Sequence, residues 1–193
     1  YCADTNYRDP KLLKELVQEN GNLSSETQTL LEYTQILLKT RENSDLLVKS
    51  GNISDFSPLF IKHLKIIETW EQAKDNKHLN FAYGNMARSL YNIGVYDYAI
   101  IYFKRKFNLN IIDSNYADDA YRLANCYLQL DKDIQNTISV IKSHRKKIEQ
   151  SLKKEMIDSV TFEFNQLLIT ANYKIKQYVE ALRLLELNIN RYS

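Results

Sequence analysis

The sequence predicts an all-α protein, and both its composition and its hydrophobic pattern favour that class. Only 4 of its 193 residues are glycine and 2 are proline, which leaves little of the turn chemistry that short strands and hairpins need. With 44% hydrophobic residues, the chain is long enough to bury a substantial core. Its apolar residues recur at the three- and four-residue spacing of a helix face, which predicts amphipathic helices.

Capping residues predict where the first helices begin. Asp9 before Pro10 is a typical helix start, because aspartate accepts bonds from the first N–H groups and proline is tolerated in the first turn. This start predicts a short helix over residues 10–20. Ser25 and Gln28 have the spacing of a capping box, which predicts a second helix.

A proline and a glycine delimit the next helices. Ser57 before Pro58 predicts a third helix that ends near Asp75. Gly94 predicts the end of a fourth helix, because glycine enters the left-handed conformation without a steric cost. Asp97 follows at a position where it can cap the next helix.

One spacing of apolar residues occurs four times along the chain. Each set has members four and seven positions after the first: Phe60, Leu64 and Ile67; Tyr96, Ile100, Phe103 and Phe107; Ile134, Ile138 and Ile141; Tyr178, Leu182, Leu185 and Ile189. The first members are 36, 38 and 44 residues apart. Repeats of about this length are typical of stacked helix pairs, which share one core because a single pair cannot bury both its faces.

Residues 81–110 resemble a tetratricopeptide repeat, which is a pair of antiparallel helices. The aromatic, small and turn positions of that family are filled in order by Tyr83, Met86, Ala87, Leu90, Gly94, Tyr96, Ala99 and Phe103. The resemblance implies an α-solenoid that forms one domain over residues 1–193. The helix pairs that it implies are 25–75, 78–110, 115–149 and 155–190, with 10–20 as an N-terminal capping helix.

The other units match the family less closely. Asp131 stands at the turn glycine, and Thr137 stands at the small alanine of the same unit. In the first unit His63 occupies that alanine position. The family's second small residue is replaced by a polar residue in three units, namely Lys106, His144 and Asn188. Helix pairs are therefore expected throughout, with packing that differs from one unit to the next.

Charge and motifs exclude several function classes. The 26 basic and 24 acidic residues are interleaved, so the chain lacks the basic surface typical of nucleic-acid or membrane-surface binding, and no apolar run is long enough to span a membrane. The three histidines lie far apart and the glycines are isolated, so we expect neither a metal site nor a phosphate loop. Cys126 falls in an apolar helical pattern and is interpreted as a core thiol. We expect no enzyme activity and no cofactor.

The resemblance also implies a candidate binding surface. In tetratricopeptide domains the exposed side of the first helix of each pair lines a concave groove. The positions that match it here are Phe81, Asn85, Arg88, Asn92, Tyr121, Arg122, Asn125, Gln129, Gln166, Thr170 and Tyr173. Amides can pair with the backbone of an extended peptide and arginine can pair with a carboxylate, so the predicted partner is a protein or peptide. A basic run over residues 142–154 is interpreted as a solvated helix face, with binding of an acidic partner or of phosphates as the alternative.

The sequence therefore predicts a non-enzymatic scaffold or sensor domain that binds a protein or peptide. The alternative is a receptor for a signalling peptide within a transcriptional or phosphorelay regulator whose output domain lies outside this segment. The chain starts at Tyr1 rather than methionine, so we expect a fragment of a longer protein. A removed signal peptide would place it outside the cytoplasm, and the cytoplasm is the alternative. The oligomeric state stays open.

The repeat frame predicts the effect of one substitution. Ala99 is expected at the closest approach of two helices, so Ala99→Leu should overpack that contact and lower the free energy of unfolding by about 1 to 3 kcal/mol. Lys104→Ala, on the exposed side of the same helix, should change it little. Urea unfolding of both variants measures the difference, and equal shifts would show that the frame is misplaced.

Overall fold

A computed structural model gives the fold for residues 57–131, 133–151 and 154–192. It also describes eight residues between positions 25 and 39, all of them helical: Ser25, Gln28, Thr29, Glu32, Tyr33, Gln35, Ile36 and Lys39. The described residues contain helices and turns and no strand, so the all-α prediction is confirmed for them. The predicted capping helix over residues 10–20 lies outside the described residues.

Seven continuous helices occupy most of the described chain. They are α1 (Ser57–Gln72), α2 (Asn76–Asn92), α3 (Tyr96–Asn108), α4 (Tyr116–Leu130), α5 (Ile134–Ser151), α6 (Lys154–Lys174) and α7 (Tyr178–Tyr192). The chain divides into two compact units, Tyr1–Ser89 and Leu90–Ser193. The expectations of a single domain and of a solenoid stay predictions.

Each turn that the structure describes between two helices contains a left-handed residue. Gly94 ends α2 with φ +77°, and Val95 N–H then donates to Leu90 C=O at 2.9 Å. Lys176 ends α6 in the same way with φ +63°. Asp131, predicted at the turn-glycine position, has φ +53°. A left-handed residue lets the next N–H groups satisfy the last carbonyls of a helix. At Asp131 and Lys176 a helix is closed in this way without a glycine.

Two helix starts show different capping chemistry. Asp75 caps α2, because its carboxylate accepts from the His78 N–H at 3.1 Å. The same carboxylate contacts the His78 Nδ1 at 2.5 Å, and this hydrogen bond lowers the pKa of Asp75 below its ordinary value. The prediction that Asp97 caps α3 is wrong. The cap position is Val95, and Asp97 lies in the first turn, where its charge favours the helix dipole.

The first unit is organised around Tyr33, which is completely buried. Its hydroxyl lies 2.6 Å from His63 Nε2, and its ring contacts Trp70 edge-on at a centroid distance of 5.0 Å. His63 therefore occupies the predicted small position as a buried side chain with a polar partner. Burial lowers the pKa of His63 to about 4. The imidazole is consequently neutral at physiological pH.

The second unit is built around α4. Within it, each helix from α3 to α7 packs against the next, and α4 also packs against α6. Nine of the fifteen α4 residues are buried. The core cluster contains Tyr116, Ala117, Ala120, Ala124, Leu128, Ile138, Ile141, Ile148, Phe164, Leu167, Leu168, Ala171 and Leu184. The contact between α4 and α6 is the one that stacked helix pairs predict.

The small residues of the repeat frame are buried, as expected. Ala99, Thr137 and Ala181 all lie in the interior of the second unit. The Thr137 hydroxyl donates to the Ala124 carbonyl at 3.1 Å, so the polar atom added at this position is satisfied by the facing helix. Close approach of the two backbones is thereby kept despite the larger side chain.

Each polar residue that replaces the second small residue has a polar partner on a neighbouring helix. Lys106 Nζ contacts the Asp119 carboxylate at 2.5 Å, with Lys106 1% and Asp119 0% exposed. The His144 Nδ1 lies 2.7 Å from the Tyr116 hydroxyl. The third pair joins two buried amides, Asn165 Nδ2 and Asn188 Oδ1, at 2.7 Å. The first of these contacts joins two successive helix pairs, and the other two lie within a pair.

The apolar frame of the last pair is open to solvent. Tyr178, Leu182, Leu185 and Ile189 are all exposed, which is the apolar flank that stacked helix pairs predict for a pair with no further helix against it. The buried side of α7 instead carries Ala181, Leu184 and Asn188. The physical reason is coverage. The matching frame of α5 is covered by α6, whereas no helix of the described residues covers this face of α7.

The ion pair between Lys106 and Asp119 predicts a large difference between single and double variants. Lys106→Met should lower the free energy of unfolding by about 3 to 5 kcal/mol, because it leaves the Asp119 carboxylate buried without its cation. Lys106→Met combined with Asp119→Leu should recover most of that loss. Denaturant unfolding of both measures it.

Lys174→Met is the matched control, because it breaks an exposed ion pair of 2.8 Å with Asp131. That change should cost less than about 1 kcal/mol. If Lys106→Met cost no more than Lys174→Met, the buried pair would not stabilise the fold.

The neutral state of His63 predicts acid sensitivity. Its pKa in the fold is about 4, against an ordinary value of 6.5, so between these values the unfolded chain binds a proton that the folded chain does not. Stability therefore falls as the pH falls below 6.5, by up to about 1.4 kcal/mol per pH unit from this group. Urea unfolding from pH 7 to pH 4 measures the slope.

His63→Gln is the comparison variant, because it keeps an acceptor for Tyr33 and removes the titration. The other acid-sensitive groups are unchanged, so their contributions cancel between the two proteins. Between pH 6.5 and pH 4, the free energy of unfolding of the variant should fall less steeply with falling pH. The difference in slope should correspond to about one bound proton. Identical slopes would contradict the assignment.

Candidate functional site

The predicted groove residues lie on the accessible sides of three helices. None of the eleven is buried, and they repeat on α2, α4 and α6 at the four- and seven-residue spacing of one helix face. Because Phe81, Asn85 and Arg88 belong to the first unit and the others to the second, each group has its own geometry.

In the first unit the three predicted residues surround the buried Tyr33. Arg88 Nη2 donates to Asn85 Oδ1 at 2.8 Å, and the ring of Phe81 lies 5.8 Å from that of Tyr33. Burial raises the pKa of Tyr33 above its ordinary value. The hydrogen bond with Asn85 and the charge of Arg88 offset part of that rise. These three side chains therefore lie around the buried Tyr33 and are also accessible at the surface of the unit.

In the second unit Arg122 is the centre of a polar network. Its Nε donates to Asp118 Oδ2 at 2.8 Å, one turn earlier in α4, and its Nη1 donates to Asn92 Oδ1 at 3.2 Å. The guanidinium carbon also lies 5.1 Å from the centroid of the Tyr91 ring. A guanidinium held over an aromatic face is oriented before any ligand arrives.

The network continues along α4. Asn125 Nδ2 donates to the Tyr91 hydroxyl at 2.5 Å, and Gln129 Nε2 donates to Asn125 Oδ1 at 3.2 Å. We call the connected surface the polar strip, which consists of Tyr91, Asn92, Asp118, Arg122, Asn125 and Gln129. All six side chains are at least partly exposed, and they come from the end of α2 and from α4. The strip is thus a preformed line of amides with one arginine.

Sequence reasoning missed two members of the polar strip, Asp118 and Tyr91. Asp118 lies four residues before Arg122, a spacing that indicates a helical ion pair and was available from the sequence. Tyr91 had no such signal, because its role depends on the approach of α4. Tyr121 lies beside the strip, where burial raises its pKa and the charges of Glu163 and Asp118 raise it further. The surface therefore carries both signs of charge.

The predicted residues of α6 have a different setting. Thr170 uses its hydroxyl within the helix, donating to the Gln166 carbonyl at 3.0 Å. Tyr173 is largely exposed, and its ring meets that of Tyr178 edge-on at 5.6 Å. Thr170 and Tyr173 border an apolar groove between α6 and α7 rather than the polar strip.

Cys126 and His144, which could carry chemistry in principle, are held within the packing of the second unit. Cys126 is buried, and burial raises the pKa of its thiol to about 12, which suppresses the nucleophilic thiolate. Burial also lowers the pKa of His144 to about 4, so it is a neutral partner of Tyr116. Across the described ranges no group of three His, Cys, Asp or Glu side chains is placed to hold a metal ion. Nor does any helix described there have the length and apolarity to cross a membrane.

The described part of the basic run lies on an exposed face of α5. Arg145 Nε donates to Glu149 Oε1 at 2.9 Å, and Lys147 Nζ donates to Asn110 Oδ1 at 3.3 Å. These contacts, together with exposure, match the interpretation of a solvated helix face. An acidic partner for this face stays a prediction.

Comparisons with protein-family models, with curated proteins and with solved structures find no match to this chain. The chemistry of the chain's own surfaces is therefore the basis for assigning a function. Two surfaces of the second unit differ sharply in that chemistry. One is the polar strip, and the other is the apolar groove between α6 and α7.

Proposed function

We propose that this chain is a non-enzymatic scaffold that binds an extended segment of another protein along the polar strip of its second unit. The observation that supports this proposal is the connected hydrogen bonding of the strip, in which Arg122 and Asn125 join two neighbouring helices. In a solenoid of stacked helix pairs, as the resemblance to tetratricopeptide repeats implies, such a strip faces the concave side.

Hydrogen-bonding capacity supports a polypeptide as the ligand. A guanidinium has five N–H donors, and the two side-chain bonds of Arg122 use two of them. Asn125 and Gln129 each contribute an amide with both donor and acceptor atoms. The backbone of an extended peptide also offers both kinds of atom at regular intervals, so a line of amides can pair with it irrespective of its side chains.

The charges beside the strip favour an extended neutral segment over a strongly acidic one. Asp118 already holds the Arg122 guanidinium at 2.8 Å, and Glu163 lies near enough to Tyr121 to raise its pKa. An acidic ligand would have to displace the first carboxylate and approach the second. Main-chain carbonyls can accept from Arg122 without that repulsion.

Preorganisation supports binding at this place. Arg122 stacks on Tyr91 and is bonded on two sides, while Asn125 is fixed between Tyr91 and Gln129. Side chains that are already ordered lose little conformational entropy when a ligand binds. Tyrosine adds contact area at a low entropic cost, so Tyr91 and Tyr121 can pack against the ligand.

Peptide selection tests the proposal. Random twelve-residue peptides displayed on phage are selected on the full chain, and the best peptide is titrated by calorimetry. Arg122→Ala should weaken its binding at least tenfold, because a bond from a charged donor contributes about 1.5 to 3 kcal/mol and about 1.4 kcal/mol corresponds to a factor of ten. Asn125→Ala should weaken it by a smaller factor.

Arg145→Ala is the matched control for Arg122→Ala. It also breaks an ion pair between residues four apart, at 2.9 Å against 2.8 Å, but on the basic face of α5. The affinity of the Arg145→Ala variant for the selected peptide should stay within twofold of that of the parent protein. If Arg145→Ala abolished binding while Arg122→Ala bound normally, the ligand would lie on the basic face and the proposal would be wrong. Thermal unfolding of each variant excludes loss of fold as the cause.

A further inference from the structure

A groove of about 380 Å³ lies between α6 and α7, on a different surface from the polar strip. Its lining is almost entirely apolar and consists of Ile169, Thr170, Tyr173, Tyr178, Ala181, Leu182 and Leu185. We call this surface the α6–α7 groove. Ile189 extends the apolar face by one further turn of α7 and is also exposed. An apolar face of this kind on a water-exposed helix indicates an interaction surface.

The chain contains a covered counterpart of this groove. Leu182 and Leu185 of α7 occupy the frame positions that Ile138 and Ile141 occupy in α5. The two isoleucines are 9% and 0% exposed, whereas the two leucines are 58% and 40% exposed. The same pattern of residues is therefore buried in one helix pair and open in the next.

The helix that covers the counterpart shows what fits such a face. α6 lies against α4 and α5 and contributes Phe164, Leu167, Leu168 and Ala171 to the shared core. These four residues have the spacing of one helix stripe, with an aromatic residue first and a small residue last. In the α6–α7 groove Ala181 keeps the small position that Thr137 occupies in α5, which permits an equally close approach.

We propose that the α6–α7 groove receives an amphipathic α-helix of a partner protein, which repeats the position that α6 takes on α4 and α5. The partner helix presents an aromatic residue, two leucines and a small residue at positions i, i+3, i+4 and i+7. Aliphatic and aromatic side chains of this stripe fill the space over Leu182 and Leu185, as Phe164 and its neighbours do one pair earlier.

The charge of Lys176 fits the dipole of a helix that runs in the same direction as α6. Because a three-residue turn joins α6 to α7, the C-terminus of α6 lies at the turn end, where Lys176 is exposed. A helix parallel to α6 places its negative C-terminal end near Lys176.

A peptide with the sequence of residues 154–174, labelled with fluorescein, is the probe. It carries the stripe of α6 and is stapled between positions 166 and 170, which are exposed in α6, to hold it helical. Fluorescence anisotropy should show saturable binding to the full chain. Leu182→Asp should weaken binding at least tenfold, because it places a carboxylate in the centre of the groove.

Val179→Asp is the matched control, since it puts the same charge on α7 at a residue that is 84% exposed and outside the groove lining. It should change the affinity less than twofold. The same peptide with Leu167 and Leu168 both replaced by aspartate should bind at least tenfold more weakly. Arg122→Ala should bind the peptide normally, so this test is independent of the polar strip.

Three outcomes would overturn the proposal. One is the absence of saturable binding, and another is equal binding to the full chain and to Leu182→Asp. The third is self-association, seen by sedimentation as a dimer that Leu182→Asp abolishes and the peptide does not displace. That result would assign the groove to a second copy of this chain. Circular dichroism with thermal unfolding checks that each variant keeps its helices.

Discussion

The enclosure of α4 by three other helices is the constraint on which the second unit depends. α3, α5 and α6 all pack against it, so most of its residues are removed from water. Alanines at positions 117, 120 and 124 allow these backbones to approach closely. The enclosure also buries the Asp119 carboxylate, and Lys106 compensates its charge from 2.5 Å away. The packing around α4 therefore encloses an ion pair in which each charge compensates the other.

Polar contacts between neighbouring helices differ in chemistry from one repeat of the frame to the next. One position of the frame carries Lys106, His144 and Asn188, and the partners are a carboxylate, a phenol and an amide. A buried polar group costs free energy unless it meets a suitable partner, so these contacts favour one arrangement of neighbouring helices over shifted ones. The residue at this position therefore changes the chemistry of the contact from one repeat to the next, while the arrangement in helix pairs stays the same.

The enclosure of α4 also determines which surfaces of the second unit can bind a partner. Because three sides of α4 are covered, its remaining edge carries Arg122, Asn125 and Gln129, and these side chains are aligned by Tyr91 and Asn92. α7 is in the opposite situation, since one of its two apolar faces has no covering helix among the described residues. One unit thus offers a polar strip suited to an extended peptide and an apolar groove suited to a helix.

The sequence alone determined the helical class, the positions of most helices and the polar surface of α4, because these follow from local spacing, turn residues and helix periodicity. Asp131 was recognised as a turn residue, and Arg122 and Asn125 were placed on one helix face. Tertiary structure alone decided which apolar residues are covered. Ile138 and Leu182 share a frame, yet only the first is buried, since coverage depends on a neighbouring helix. For the same reason the partners of Lys106 and Arg122 appeared only in the fold, because hydrogen bonds between helices depend on their approach in space.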